Sequence, residues 1–257
     1  MPIEWEVRCG NKKASIKIQR PSFESVKKAY EEITRVGSKE FIGEYWEVIK
    51  QYQANIITES EAQERVKKLY INMSGARYKA VSDRLFNFFN EDRNKRYNTC
   101  ATRVSYAINN TAIPLAKEEN QNSPNNAWII NNSYYGISVD GIIEILSTIW
   151  HKPKIYDQAI KQSILCGCSE DFYHTMNSKK QNKALFEEFK SFKRKGIVAM
   201  RLQGNRIRHT TLWEEDDFVD VKMNKESSVE NLYGYDYLND PENTHPLVSE
   251  FYFWEVK

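Results

Sequence analysis

The sequence predicts an α+β fold. Amphipathic helical patterns recur from about residue 21 to 191, strand alternation takes over from Gly196 to the end, and a separate strand pair opens the chain. The opening IEWEVRC alternates Ile3, Trp5, Val7 and Cys9 with Glu4, Glu6 and Arg8. Gly10 and Asn11 turn the chain into ASIKIQ, which alternates again, so a β-hairpin is expected. Pro21 and Ser22 start a helix whose Phe23, Val26, Tyr30 and Ile33 share one face, and Gly37 stops it. From about Phe41 to Phe89 the period stays helical in three stripes: Phe41, Tyr45, Val48 and Tyr52; Ala62, Val66, Leu69 and Met73; Val81, Leu85 and Phe88. Thr58 with Glu61 reads as a capping box for the second.

FNEDRNKRYN carries charge without pattern and reads as a loop leading to a helix that begins at Cys100. Beyond it lie the polar KEENQNSPNN, a helix in VDGIIEILSTIWHKP that Pro153 terminates, a polar region containing CGCSEDFYH, and a charged helix around NKALFEEFKSFKRKG. The strands expected at the end are GIVAMRLQ, IRHTTLWEE after a turn at GNR, DDFVDVKM and EFYFWEV. No repeat or low-complexity tract interrupts them.

Composition narrows the function. The 257 residues can bury a core unaided, and 28% charged with 40% hydrophobic residues is ordinary for a globular protein. Lys and Arg number 37 against 35 Asp and Glu, so the net charge of +2 creates no field that gathers nucleic acid, and none is expected as a partner. No stretch approaches the roughly 20 apolar residues of a membrane span, and the N-terminus lacks the apolar core of a signal peptide. The expectation is a protein made in the cytoplasm, without membrane insertion; if it acts outside the cell, a route other than general secretion must carry it there. The four cysteines, Cys9, Cys100, Cys166 and Cys168, are too few for a disulfide framework, and CGC lacks the second pair of a zinc ribbon. No metal or cofactor is expected. Cys166 and Cys168 read as packed or incidental thiols, with a structural disulfide as the alternative.

One constellation carries chemistry. Thr99 is a good N-cap, and Ala101, Val104 and Ile108 follow at helical spacing, so Cys100 falls in a first helical turn. Unpaired N–H groups and the positive end of the helix dipole there favour the thiolate and offer donors to an oxyanion. Of the four histidines, His151 sits at a helix end, His174 in a polar segment without pattern, and His245 in a turn-rich loop. His209 lies inside a strand, where alternation puts it with Ile207 and Thr211 on one face. A third group that orients the imidazole would come from Asp216, Asp217 or Asp220 on the next strand. The first two lie near the turn, which favours Asp220.

These residues carry a resemblance. NTCATRVSYAIN is similar to the N-x-C-A-x-R-x-S-x-A-L/I-N segment of the fourth amidase-effector family of type VI secretion, whose members are papain-like (NlpC-like) cysteine peptidases that cut peptidoglycan. HTTLW with Asp220 eleven residues after His209 resembles that family's H-x-x-L-W segment and downstream aspartate, and RPSFESVKKAY, TIWHKPKIYD, KGIV and FYFWEV resemble its other segments. The resemblance covers roughly residues 20–35 and 97–257. The chain departs from the pattern at Arg208, where the family has Gly, at Glu214 and Glu215 after the Trp, and in lacking a cysteine pair near the aspartate.

The resemblance implies a single papain-like amidase domain over residues 1–257, with an extra N-terminal hairpin (about 1–20) and a helical insertion (about 37–96). It implies catalysis by Cys100, His209 and Asp220, with the Cys100 N–H as an oxyanion donor. The implied substrate is a peptidoglycan stem peptide, cut between γ-D-glutamate and diaminopimelate in the periplasm of a rival cell. A cognate immunity protein and type VI secretion components are the implied partners. Arg103 is expected to anchor its helix by an ion pair and Asn98 to cap or orient the loop before the thiol. The helical block is expected to pack on the core and widen a cleft wall, with docking of an immunity protein or secretion component as the alternative. Two other functions keep the same residues: an inactive binding or adaptor module, and a deamidase or transamidase acting on a protein.

Overall fold

The computed structural model describes residues 3–9, 12–18, 20–117, 124, 126–204, 208–240 and 244–257. In the opening hairpin β1 (Ile3–Cys9) pairs antiparallel with β2 (Lys12–Ile18), Ile3 opposite Ile18 and Cys9 opposite Lys12. The expected turns at Gly10–Asn11 and in GNR, and most of KEENQNSPNN, fall outside the described residues.

α1 (Phe23–Arg35) buries Phe23, Val26, Tyr30 and Ile33 along one face. It ends at Gly37, whose φ of 74° lies in the left-handed region and where a Cβ would meet Met73 Cα at 3.2 Å. α2 (Ser38–Gln53) and α3 (Glu59–Val81) follow. The capping box of α3 is present: the Thr58 N–H donates to Glu61 Oε2 at 2.8 Å, and the Glu61 N–H donates to Thr58 Oγ1 at 3.3 Å. The third expected stripe is split, because Ser82 is extended (φ −169°) and starts α4 (Asp83–Glu91) by accepting from the Leu85 N–H. Restarting the helix turns Leu85 and Phe89 inward in place of Phe88.

α5 (Cys100–Asn109) leads to a hairpin the sequence reading passed over, β3 (Ala127–Ile130) and β4 (Ser133–Gly136). Its two-residue turn is Asn131–Asn132, both at positive φ (48° and 64°), the requirement of a type I′ turn. Next come α6 (Val139–Ile149), β5 (Lys154–Ile155), α7 (Gln158–Leu165), β6 (Phe172–Thr175) and α8 (Lys179–Ser191). CGC proves to be the stop of α7. The Gly167 N–H bonds to Ile164 O and the Cys168 N–H to Ser163 O, a Schellman motif with Gly167 at φ 89°. This turn faces solvent, so Cys166 and Cys168 are exposed, unbridged thiols and not packed ones.

The last elements are β7 (Lys195–Leu202), β8 (Arg208–Glu214), β9 (Asp217–Phe218), α9 (Val219–Glu226) and β10 (Val248–Glu255). Most of the strand expected in DDFVDVKM is helix. Its alternation runs for only five residues, Val219 to Met223, and Val219 and Met223, four apart, are both buried as a helical pair. One sheet runs β5-β6-β10-β7-β8-β9, antiparallel except between β5 and β6.

Helices cover both faces of this sheet. Ile197, Ala199, Leu212 and Trp254 pack with α1, α5 and α6, while Val198, Met200, Trp213, Phe251 and Phe253 pack with α7 and α8. Burial on two sides explains why GIVAM is a continuous apolar run. Among the described residues no helix is long and apolar enough to cross a membrane.

At Gly196, where β7 enters the sheet, a Cβ would lie 2.2 Å from Trp254 O and 2.5 Å from the Phe253 ring. The Trp254 backbone has no freedom to yield. Gly196→Ala is therefore expected to lower unfolding free energy in urea by about 3 kcal/mol, the upper part of the overpacking range.

Candidate active site

A cleft of about 670 Å³ opens between α3, the start of α5, the start of β8 and the loop after α9, with Cys100 and His209 in its wall. α3 holds the approach to α5 by its side chains: Ser74 Oγ donates to Tyr97 O at 2.6 Å and Tyr78 OH to Asn98 O at 3.2 Å. The helical block thus forms one wall of the cleft. Thr99 occupies the N-cap position without capping. Asn98 caps instead, its Oδ1 accepting the Cys100 N–H at 3.1 Å. The donor expected to be free for an oxyanion is therefore engaged in this state.

β8 brings His209 to the thiol. The imidazole and the Thr210 N–H both act on the sulfur. On its other side His209 Nε2 lies 3.1 Å from Asp220 Oδ2. Asp220 enters from the first turn of α9 and not from a strand, fully buried. Arg103, one turn along α5 from Cys100, grips both of its oxygens at 3.2 and 3.3 Å, and Tyr30 OH donates to Oδ1 at 2.9 Å. The anchoring ion pair expected of Arg103 has Asp220 itself as its partner. Gly234 makes room, since a Cβ there would come within 2.7 Å of Asp220 Oδ2.

Charge and burial set the protonation states. Burial works against the imidazolium, but hydrogen bonds to Asp220 and Cys100 and their charges outweigh it and push the His209 pKa up to about 9. Burial likewise works against the thiolate, yet His209, Arg103 and the Thr210 N–H bring Cys100 below the ordinary thiol value. Burial raises Asp220, but Arg103, His209 and Tyr30 hold it below the usual carboxylate range. Both shifts favour a thiolate beside an imidazolium.

The remaining candidates lie apart. His151 is exposed after α6, His174 is half-buried on β6 against the Tyr156 ring, and His245 packs on Tyr235 and Tyr237. Tyr237 in turn covers the His209 ring at 5.5 Å. Asp216 and Asp217 pair with Lys222 and Lys225. Among the described residues no group of three His, Cys, Asp or Glu is placed to hold a metal ion. A second cavity of about 640 Å³ is lined by Arg20, His151, Lys154, Glu170, Asp171 and Glu255, and its Ser22 bonds to Ser25 and not to His151. The sequence reading missed Tyr30, Gly234 and Arg77. Tyr30 carried only a core signal, and the other two acquire their places from segments far apart in the chain.

No protein-family model and no curated protein matches the chain. Solved structures do. The fold is similar to that of the effector Tae4. Tae4 from Salmonella typhimurium, in complex with the immunity Tai4 from Enterobacter cloacae, matches with a TM-score of 0.51 at 15% identity, over 93% of this chain and 100% of its own. The Tae4 of the type VI effector–immunity complex Tae4–Tai4 from Enterobacter cloacae gives a TM-score of 0.44 at 16% identity, over 93% and 99% of the two chains. At such identities the likeness is one of fold.

Asp220 is ionised in the native state at a pH where the unfolded carboxyl, near about 3.9, binds a proton, so its stabilisation is present above that value and fades as pH falls. In folded Asp220→Asn protein, alkylation of Cys100 at pH 7 should fall by about tenfold or more, the factor one unit of thiol pKa carries. Rates read by peptide mapping, with the exposed Cys166 and Cys168 as internal references, check this.

Proposed function

We propose that the chain is a papain-like cysteine amidase that cuts peptidoglycan stem peptides as a type VI effector. The observation that carries the reading is the buried row Cys100–His209–Asp220 set in the wall of an open cleft. The sequence resemblance and the Tae4-like fold support it. In this proposal residues 1–257 form one amidase domain, with the hairpin and the helical block as additions and the block as a cleft wall. The protein acts in the periplasm of a target cell, and a cognate immunity protein is its partner in the producing cell.

The chemistry follows from the protonation states. The Cys100 thiolate attacks the carbonyl carbon of the γ-D-glutamyl–diaminopimelate bond, and the carbonyl π electrons move to oxygen. The oxyanion replaces Asn98 Oδ1 at the Cys100 N–H. Nε2 of His209 is held by Asp220, which leaves Nδ1 to protonate the departing amine as the C–N bond breaks and a thioester forms. The now neutral imidazole takes a proton from water, which attacks the thioester. The acid leaves, and the thiolate–imidazolium pair is restored. Asp220 keeps its charge throughout because Arg103 holds both its oxygens.

The test is digestion of diaminopimelate-type sacculi with mass spectrometry of the released muropeptides. Wild type should release fragments cut at the γ-D-glutamyl bond, and Cys100→Ala and His209→Ala should lower the rate by about 10⁴-fold or more. Intact sacculi with wild type, or cleavage that survives Cys100→Ala, would remove this reading. Gly234→Ala should fold yet lose about 10²-fold in rate, because its Cβ displaces Asp220 by the order of an ångström.

A further inference from the structure

We propose that Arg77 forms a carboxylate subsite in the cleft and holds the free α-carboxylate of the γ-linked glutamate whose carbonyl Cys100 attacks. The identity of the substrate rests on the amidase reading above; the anion site rests on the cleft's own charges.

α3 delivers Arg77 to the cleft wall, where it is 4% exposed. Its Nη2 donates to Thr34 O at 2.5 Å and lies 3.3 Å from Met73 Sδ, Nη1 reaches Thr99 Oγ1 only at 3.5 Å, and the buried Nε–H, like that of Arg103, has no partner among the described residues. Among the described residues no carboxylate pairs with it. Every other Lys or Arg lining the cleft has one: Arg103 on Asp220, Arg96 on Glu91, Lys95 on Asp92 and Arg208 on Asp140. Nor does any described Asp or Glu line the cleft.

A desolvated guanidinium is ordinarily matched by an anion, and a buried donor without a partner calls for one. Burial, then the charge of Arg103, bring the Arg77 pKa down to about 9, so the group remains a cation at neutral pH. With the Cys100–His209 pair carrying no net charge and Asp220 matched by Arg103, Arg77 leaves one positive charge in excess among these groups. The γ-linked glutamate supplies the missing anion, because its α-carboxylate stands three carbons from the scissile carbonyl and stays free. Planar Arg suits a carboxylate better than Lys does.

Two measurements test this. In the first, Cys100 of the full chain is alkylated with iodoacetate or iodoacetamide, each losing iodide to the thiolate, with Cys166 and Cys168 as references in the same molecule. Wild type should prefer the anionic reagent at Cys100. Arg77→Gln should lower that preference by about tenfold, the effect of one unit charge several ångströms away in a partly desolvated site, and Arg77→Lys should retain most of it. An unchanged preference in folded Arg77→Gln overturns the site.

In the second, wild type is given two stem peptides that differ only in a free or an amidated glutamate α-carboxyl. The free acid should be cleaved with at least about tenfold higher kcat/KM, mainly through KM, and Arg77→Gln should erase the difference. Equal cleavage of both peptides by wild type overturns the subsite whether or not any variant folds. If neither peptide is cut while the iodoacetate preference depends on Arg77, the amidase reading fails and the anion site stands with another occupant.

Discussion

A single buried carboxylate organises the site. Asp220 has no contact with water, and its charge is tolerable only because Arg103 of α5, Tyr30 of α1 and His209 of β8 converge on it. Removing any one partner from such a group leaves desolvated charge uncompensated, at a cost of about 3–5 kcal/mol for an ion pair. Three elements distant in sequence are therefore held in one arrangement by one anion. The arrangement is also the one that puts Cys100 against the imidazole, since Arg103 and Cys100 share a helix one turn apart.

Stability and chemistry are thus coupled through the same contacts. Arg103 fixes where α5 lies and lowers the pKa of Asp220; Asp220 in turn raises that of His209, and His209 lowers that of Cys100. Gly234 permits the chain after α9 to pass close over the carboxylate, where any larger residue would intrude. The helical block contributes from outside this core. Ser74 and Tyr78 hold the loop before the nucleophile, and Arg77 adds a positive charge that no described carboxylate pairs.

Much of this was legible in the sequence wherever a local pattern had a local cause. The stripe of α1, the capping box at Thr58 and the first-turn position of Cys100 follow from short-range spacing, and the structure contains them. The β3–β4 hairpin carried a readable signal in Asn131–Asn132, two residues tolerant of positive φ between apolar segments, and the polar loop before it obscured it. β6 was harder, because only pairing with β10 and β5 makes Phe172–Thr175 of that polar region a strand.

The site divides along the same line. Residue types and order pointed to Cys100, His209 and Asp220, and the structure brings the three side chains together. The helical setting of Asp220, the engagement of the Cys100 N–H by Asn98 and the isolation of Arg77 depend on tertiary contacts that no window of sequence contains. Substituting Thr99 by Asn98 as the cap is a case in point: both are good capping types, and the backbone of the approach loop, fixed by α3, decides between them.

The central claim is that Asp220 maintains a thiolate–imidazolium pair at Cys100 and His209. The most direct measurement is the pH titration of thiolate ultraviolet absorbance, taken as the difference between wild type and Cys100→Ala and repeated in a His209→Gln background. The account predicts a thiolate step below the ordinary thiol range that depends on His209. A Cys100 step at the position of an ordinary thiol, unchanged by His209→Gln, would contradict it.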